Sequence, residues 1–161
     1  MTEWFESPAV ATVSFNSLSC IWPDISLPKA LRLQLYLVRV TTVLLYGCES
    51  WNLTQAVKGK LRGFHGSCLA KILKTTQREA IGDKTLPCIV KMARKRRWLW
   101  LGHILRMGNN RTLRMVFDTT TPRQPPYPPW TPMAEAPWGL EEAERRAMDH
   151  KKWAEIFDAI V

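Results

Sequence analysis

Apolar positions along the chain recur at helical rather than strand spacing. Between residues 31 and 46, Leu31, Leu35, Val38 and Thr42 step along one side, and Leu33, Leu37, Val40, Leu44 and Leu45 widen the stripe. The length of this run favours a helix. Its β-branched stretch from Val40 to Val43 favours a buried strand, so both assignments stand open. Gly47 ends the element in either case. Residues 52–74 read as a second helix, with Asn52 as N-cap and Gln55 in the reciprocal capping position. Val57, Leu61, Phe64, Cys68 and Ile72 form its apolar face. Gly59, Gly63 and Gly66 weaken it by about 1 kcal/mol each relative to Ala, so it needs tertiary packing.

A polar linker, residues 75–84, precedes a third helix with Pro87 in its first turn. Val90, Ala93, Arg97, Leu101 and Ile104 lie along one side of it, and Gly108 with Asn109 marks its end. Residues 122–137 hold seven prolines, which excludes helix and central strand and predicts an extended spacer. Helical spacing returns at residues 140–161, where Ala143, Ala147, His150, Ala154, Phe157 and Val161 share a face, with Trp153 and Ile160 beside it. Residues 1–28 show no sustained period and read as a poorly ordered arm. The pattern predicts a mainly α fold: a small helical domain of about three to four helices, with a Pro-rich irregular linker before the last one. Four segments follow: the arm at 1–28, a helical region at 29–118, the linker at 119–139 and an amphipathic helix at 140–161.

Charge sharpens this division. The 161 residues carry a net charge of +9, but residues 29–118 alone hold 18 bases against four acids, a net of +14. Such an excess makes polyanions the first partners to consider. No apolar run reaches the roughly 18 residues of a membrane span. The first residues include Glu3 and Glu6 and lack the pattern of a signal peptide. The expectation is therefore a nuclear or cytoplasmic protein that is not secreted, with Cys20, Cys48, Cys68 and Cys88 reduced.

The densest basic feature runs from Arg94 through Lys95, Arg96 and Arg97 into Trp98, Trp100 and Leu101, and on to Arg106. Clustered bases suit phosphate contacts, because each contact releases counterions. Exposed Trp rings would stack on unpaired bases, but burial is the commoner fate of a large aromatic. His65, Cys68, Cys88 and His103 make a Cys2His2 inventory whose spacing does not match a zinc finger, so no metal and no cofactor is expected. There is no phosphate-binding Gly-rich loop, no nucleophile motif and no clustered aspartates. The chain is therefore not expected to be an enzyme or to hold catalytic residues. The candidate contact residues are Arg94, Lys95, Arg96, Arg97 and Arg106, with Lys71 and Lys74 as helpers.

Three ordered blocks carry a family resemblance. They are Leu44-Leu45-Tyr46-Gly47-Cys48-Glu49-Ser50-Trp51, then Leu61-x-x-Phe64-His65-x-x-Cys68-Leu69-x-x-Ile72-Leu73, then Arg96-Arg97-Trp98-x-Trp100-Leu101-Gly102-His103-Ile104-Leu105-Arg106. Together they resemble the region after the polymerase palm in the reverse transcriptases of non-LTR retrotransposons of the RTE-like kind. Ala147-x-x-His150-x-x-Trp153 is similar to the closing helix of that region. Ala70 stands where the family usually has Arg, and the proline run replaces a Gly-Arg-Pro stretch. The resemblance implies a thumb-like, helical piece without the catalytic palm, one that helps to hold template and primer by non-specific RNA or DNA backbone contact. Two further readings remain: an interaction module offering Pro122-x-x-Pro125 and Pro126-x-x-Pro129 to SH3- or WW-type domains, and a basic membrane-surface helix.

Overall fold

The computed structural model describes residues 7–83, 85–123, 131–136 and 138–160. Among them every regular element is helical: eight α-helices of six residues or more, one single-turn helix and short 3-10 turns. The helix count exceeds the expected three to four. The chain forms two compact units, residues 1–47 with 54–90, and residues 48–53 with 91–161.

The first unit begins with α1, Ser7–Asn16, in the segment expected to be a loose arm. Ala11 and Phe15 are buried, and Phe15 stacks on Trp22 at 5.0 Å between centroids. The Trp22 indole N–H donates to the Phe15 carbonyl at 2.9 Å, which folds the following turns back onto the helix. The period was hidden because the outer face is apolar too, with Val10 and Val13 exposed. The 31–46 run resolves as helix: α2, Lys29–Arg39, then a single turn α3, Thr41–Leu44. The Thr41 and Thr42 hydroxyls donate back to the carbonyls of Leu37 and Val38, which suits β-branched residues to a helical turn. Gly47 closes the run at φ +66°, a left-handed conformation that glycine adopts without a Cβ penalty.

The long helix α4, Gln55–Leu73, is capped by Thr54 rather than by Asn52. The Thr54 hydroxyl accepts from the Val57 N–H at 3.3 Å. The expected polar linker contains α5, Gln77–Gly82. Its capping box pairs the Thr76 hydroxyl with the Glu79 N–H and the Glu79 carboxylate with the Thr76 N–H. α5 lies close on α4 because Gly66 leaves room for Ile81; a Cβ there would fall 2.6 Å from Ile81 Cγ1. The Arg32 guanidinium donates to the carbonyls of Trp22 and Ile72, both at 2.9 Å, tying α2 to the end of α4.

The second unit is built on α6, Ile89–Leu105, from Lys91 onward; the helix starts two residues after Pro87 instead of including it. Its core joins Trp98, Leu101, Ile104 and Leu105 to Phe117, Met133, Leu140, Ala143, Ala147, Trp153 and Phe157. The helix α7, Thr112–Thr120, was not anticipated. The C-terminal stretch is not one helix but two, α8, Leu140–Ala147, and α9, His150–Ile160. The break falls where the Asp149 carboxylate accepts from the N–H groups of Lys151 and Lys152, both at 3.1 Å, and starts a new helix. The phase resets there, so His150 is exposed rather than on the buried face. In the Pro-rich segment, a 3-10 turn at Pro132–Glu135 is capped by Thr131 and buries Met133 completely. Pro125 to Pro129, and with them the proposed SH3/WW ligand motifs, lie outside the described residues, as does Pro137. No helix among the described residues is long and apolar enough to cross a membrane.

Candidate nucleic-acid interface

Consecutive residues on a helix point about 100° apart, so four bases in a row cannot share one face. On α6 they divide accordingly. Arg97 is only 2% exposed, which takes its guanidinium out of reach of a phosphate. Lys95 reaches Asp158 on α9 at 2.9 Å, and its ammonium lies 6.0 Å from the centroid of the Phe157 ring. Arg96 is half-buried and hydrogen-bonds the Cys48 thiol. Burial pushes that thiol up to about 12; Glu49 adds to the rise, and Arg96 and Arg97 oppose it. Arg94 is half-buried as well. Arg106 donates to the Ala147 carbonyl at 2.7 Å and so satisfies the end of α8.

The aromatic half of the same block is structural. The Trp98 and Trp153 rings stack at 4.4 Å with 8° between planes. Each indole N–H donates to the other residue's backbone carbonyl at 3.0 Å. Gly102 makes this possible, because a Cβ there would fall 2.3 Å from the Trp153 indole nitrogen. Trp98 is therefore core rather than a stacking platform, while Trp100 stays half-buried. Much of the third resemblance block thus serves to hold α8 and α9 against α6.

Arg114 on α7 is a charged residue the sequence reading missed. It is 6% exposed, and it donates to the Leu105 carbonyl at 3.0 Å, to Asp118 at 3.0 Å and to Glu144. Burial disfavours its charge, but the two carboxylates and their hydrogen bonds outweigh that and raise its pKa. The signal was Asp118 four residues on, a helical ion-pair spacing.

Lys71 and Lys74 belong to α4, in the first unit. Both are exposed. The Lys71 ammonium lies 5.8 Å from the centroid of the Phe15 ring. Lys74 caps the helix at φ +55°, a left-handed conformation that a Lys adopts only at a cost.

The buried face of α4 carries the other chemistry-bearing side chains. His65 Nε2 lies 2.8 Å from the Pro87 carbonyl, which only accepts, so Nε2 holds the proton. Nδ1, at 2.8 Å, then accepts from the Tyr36 hydroxyl. Burial lowers the His65 pKa and raises that of Tyr36, so both stay neutral. The same desolvation pushes the Cys68 thiol, which hydrogen-bonds Tyr36, up to about 12. A cavity of about 320 Å³ beside His65 is lined also by Arg62, Asp83 and Cys88. Both His65 nitrogens are committed, which leaves no lone pair for a metal or for abstracting a proton. Among the described residues no group of three His, Cys, Asp or Glu side chains converges on a common point where a metal could sit. Comparison with protein-family models, with curated proteins and with solved structures finds no match for this chain.

Proposed function

We propose that the chain is a helical module related to the post-palm region of non-LTR retrotransposon reverse transcriptases, and that it binds RNA or DNA backbones without sequence preference. The observation that carries this reading is the net charge of +14 across residues 29–118, in a helical segment. Three ordered blocks support the relationship. No residue of this chain is assigned a catalytic role. On α6, Arg97 is packed inside, Lys95 pairs with Asp158 and Arg106 holds the Ala147 carbonyl; the half-buried Arg94 and Arg96 are the residues of the run through which contact is proposed. Lys71 and Lys74 of α4 add to them.

The test is fluorescence anisotropy of the full chain with labelled single-stranded RNA and DNA over a KCl series. The expected result is a linear fall of log K with log salt, with a slope of about 0.7 per phosphate contacted. Arg94→Gln with Arg96→Gln should reduce that slope. Binding that does not respond to salt would overturn the reading.

A further inference from the structure

The basic run that dominates the sequence is largely absorbed by packing and pairing in the second unit, which leaves open where a phosphate chain would lie. The first unit offers a different surface. On α4, Lys60, Ser67, Lys71 and Lys74 follow one another at intervals of seven, four and three residues, and all four are exposed. That spacing keeps them on one side of the helix, opposite buried Leu61, Cys68, Leu69 and Ile72. From Lys60 to Lys74 the track is about 21 Å long, enough to meet several phosphates of an extended strand.

Two details set this face apart from an ordinary solvated one. Glycines inside a helix are costly, and Gly66 earns its place by admitting Ile81. Gly59 has no such reason, since a Cβ there would meet nothing within 4 Å, whereas at Gly63 the Gln77 side chain of α5 donates to the backbone carbonyl at 3.0 Å. Gly59 leaves the helix backbone bare next to Lys60, where a partner can settle closely. At the other end, Lys74 is held in a left-handed conformation that a glycine would occupy without cost, and Arg78 follows on α5, also exposed. Among the described residues, no acidic side chain pairs with Lys71, Lys74 or Arg78.

We infer that the solvent face of α4, with Lys60, Lys71 and Lys74 as its bases and the open Gly59 beside them, is the principal track for a nucleic-acid backbone. The inference rests on the nucleic-acid reading above, but assigns the contact to α4 rather than to the Arg94–Arg97 run. The ligand class is a phosphodiester chain. The contact is made to backbone charge, so it carries no base preference.

The test compares three variants of the full chain in the anisotropy titration with a labelled single-stranded oligonucleotide. Lys60→Gln/Lys71→Gln/Lys74→Gln should weaken binding at about 50 mM KCl at least tenfold and lower the salt slope by about two. Arg94→Gln/Arg96→Gln should have the smaller effect. Lys151→Gln/Lys152→Gln, on the acidic C-terminal segment, should leave the slope as it is. Circular dichroism confirms that each variant keeps its helix content. A slope unchanged in the α4 variant but reduced in the α6 variant overturns the inference and leaves the broader reading standing. Equal loss per charge in all three variants also overturns it, because binding would then follow net charge alone. No salt-dependent binding by the unsubstituted chain overturns both.

Discussion

Gly102 is the residue on which the second unit turns. Any side chain there meets the Trp153 indole, and that ring is fixed by its stack on Trp98 and by the hydrogen bond from its N–H to the Trp98 carbonyl, so it cannot yield cheaply. Gly102→Ala is expected to destabilise the fold by about 1–3 kcal/mol, read as a lower urea midpoint, although alanine is the better helix former. An unchanged midpoint would show that the pair relaxes freely. His65 gives a pH dependence with a definite sign. Its pKa is lowered in the native state, so the unfolded chain takes up a proton first as the pH falls. Stability is therefore full above about pH 6.5 and declines below it, until native His65 itself titrates. Urea midpoints measured from about pH 7.5 to 5 should fall, and His65→Gln should flatten that fall. Asp24, Glu79, Asp83, Asp149 and Asp158 have lowered pKa values and act in a separate window. Their contributions are present above the ordinary carboxylate range and are lost only as the pH drops through and below about 4.

At the scale of elements, caps decide what hydrophobic period cannot. α5 is six residues long, too short to show a period, and it starts on the Thr76–Glu79 box. Thr76→Ala should cost about 1 kcal/mol and loosen α5 before anything else, seen as faster amide exchange at Glu79 and Ala80. The capping box was written in the sequence and could have been read there. α4 and α6 were legible because each sets one apolar face against polar neighbours: Leu61, Cys68 and Ile72 in one, Ala93, Leu101 and Ile104 in the other. α1 was not, because Val10 and Val13 make its outer face as apolar as its inner one. α7 escaped notice because Arg114 fills a buried position that a pattern search assigns to an apolar residue. The split between α8 and α9 was hidden for the same kind of reason. Asp149 reads as an ordinary polar helix position until its carboxylate is seen to cap the next one. The candidate site was legible as charge and not as geometry. Composition locates the excess of bases, but whether Arg97 faces inward or outward depends on which side of α6 meets Trp153 and Phe157.

For the whole molecule, the proposed binding of nucleic acid by a chain of charge +9 predicts an affinity sensitive to salt. A short RNA held at about a hundred times its Kd should raise the unfolding free energy by about 2.7 kcal/mol, visible as a higher Tm. The increase should vanish near 1 M KCl, where screening reaches about 3 Å. A shift that survives high salt would place the binding energy in contacts other than charge. The Trp98–Trp153 clasp has a consequence for how the chain comes to be folded. It joins residues 55 positions apart, so this contact closes a long loop of chain although both of its partners sit on helices. During synthesis α6 emerges first and waits, its Trp98 ring and indole N–H without their partners, until the last helix has left the ribosome. In that interval the same surface is available to chaperones or to another copy of itself.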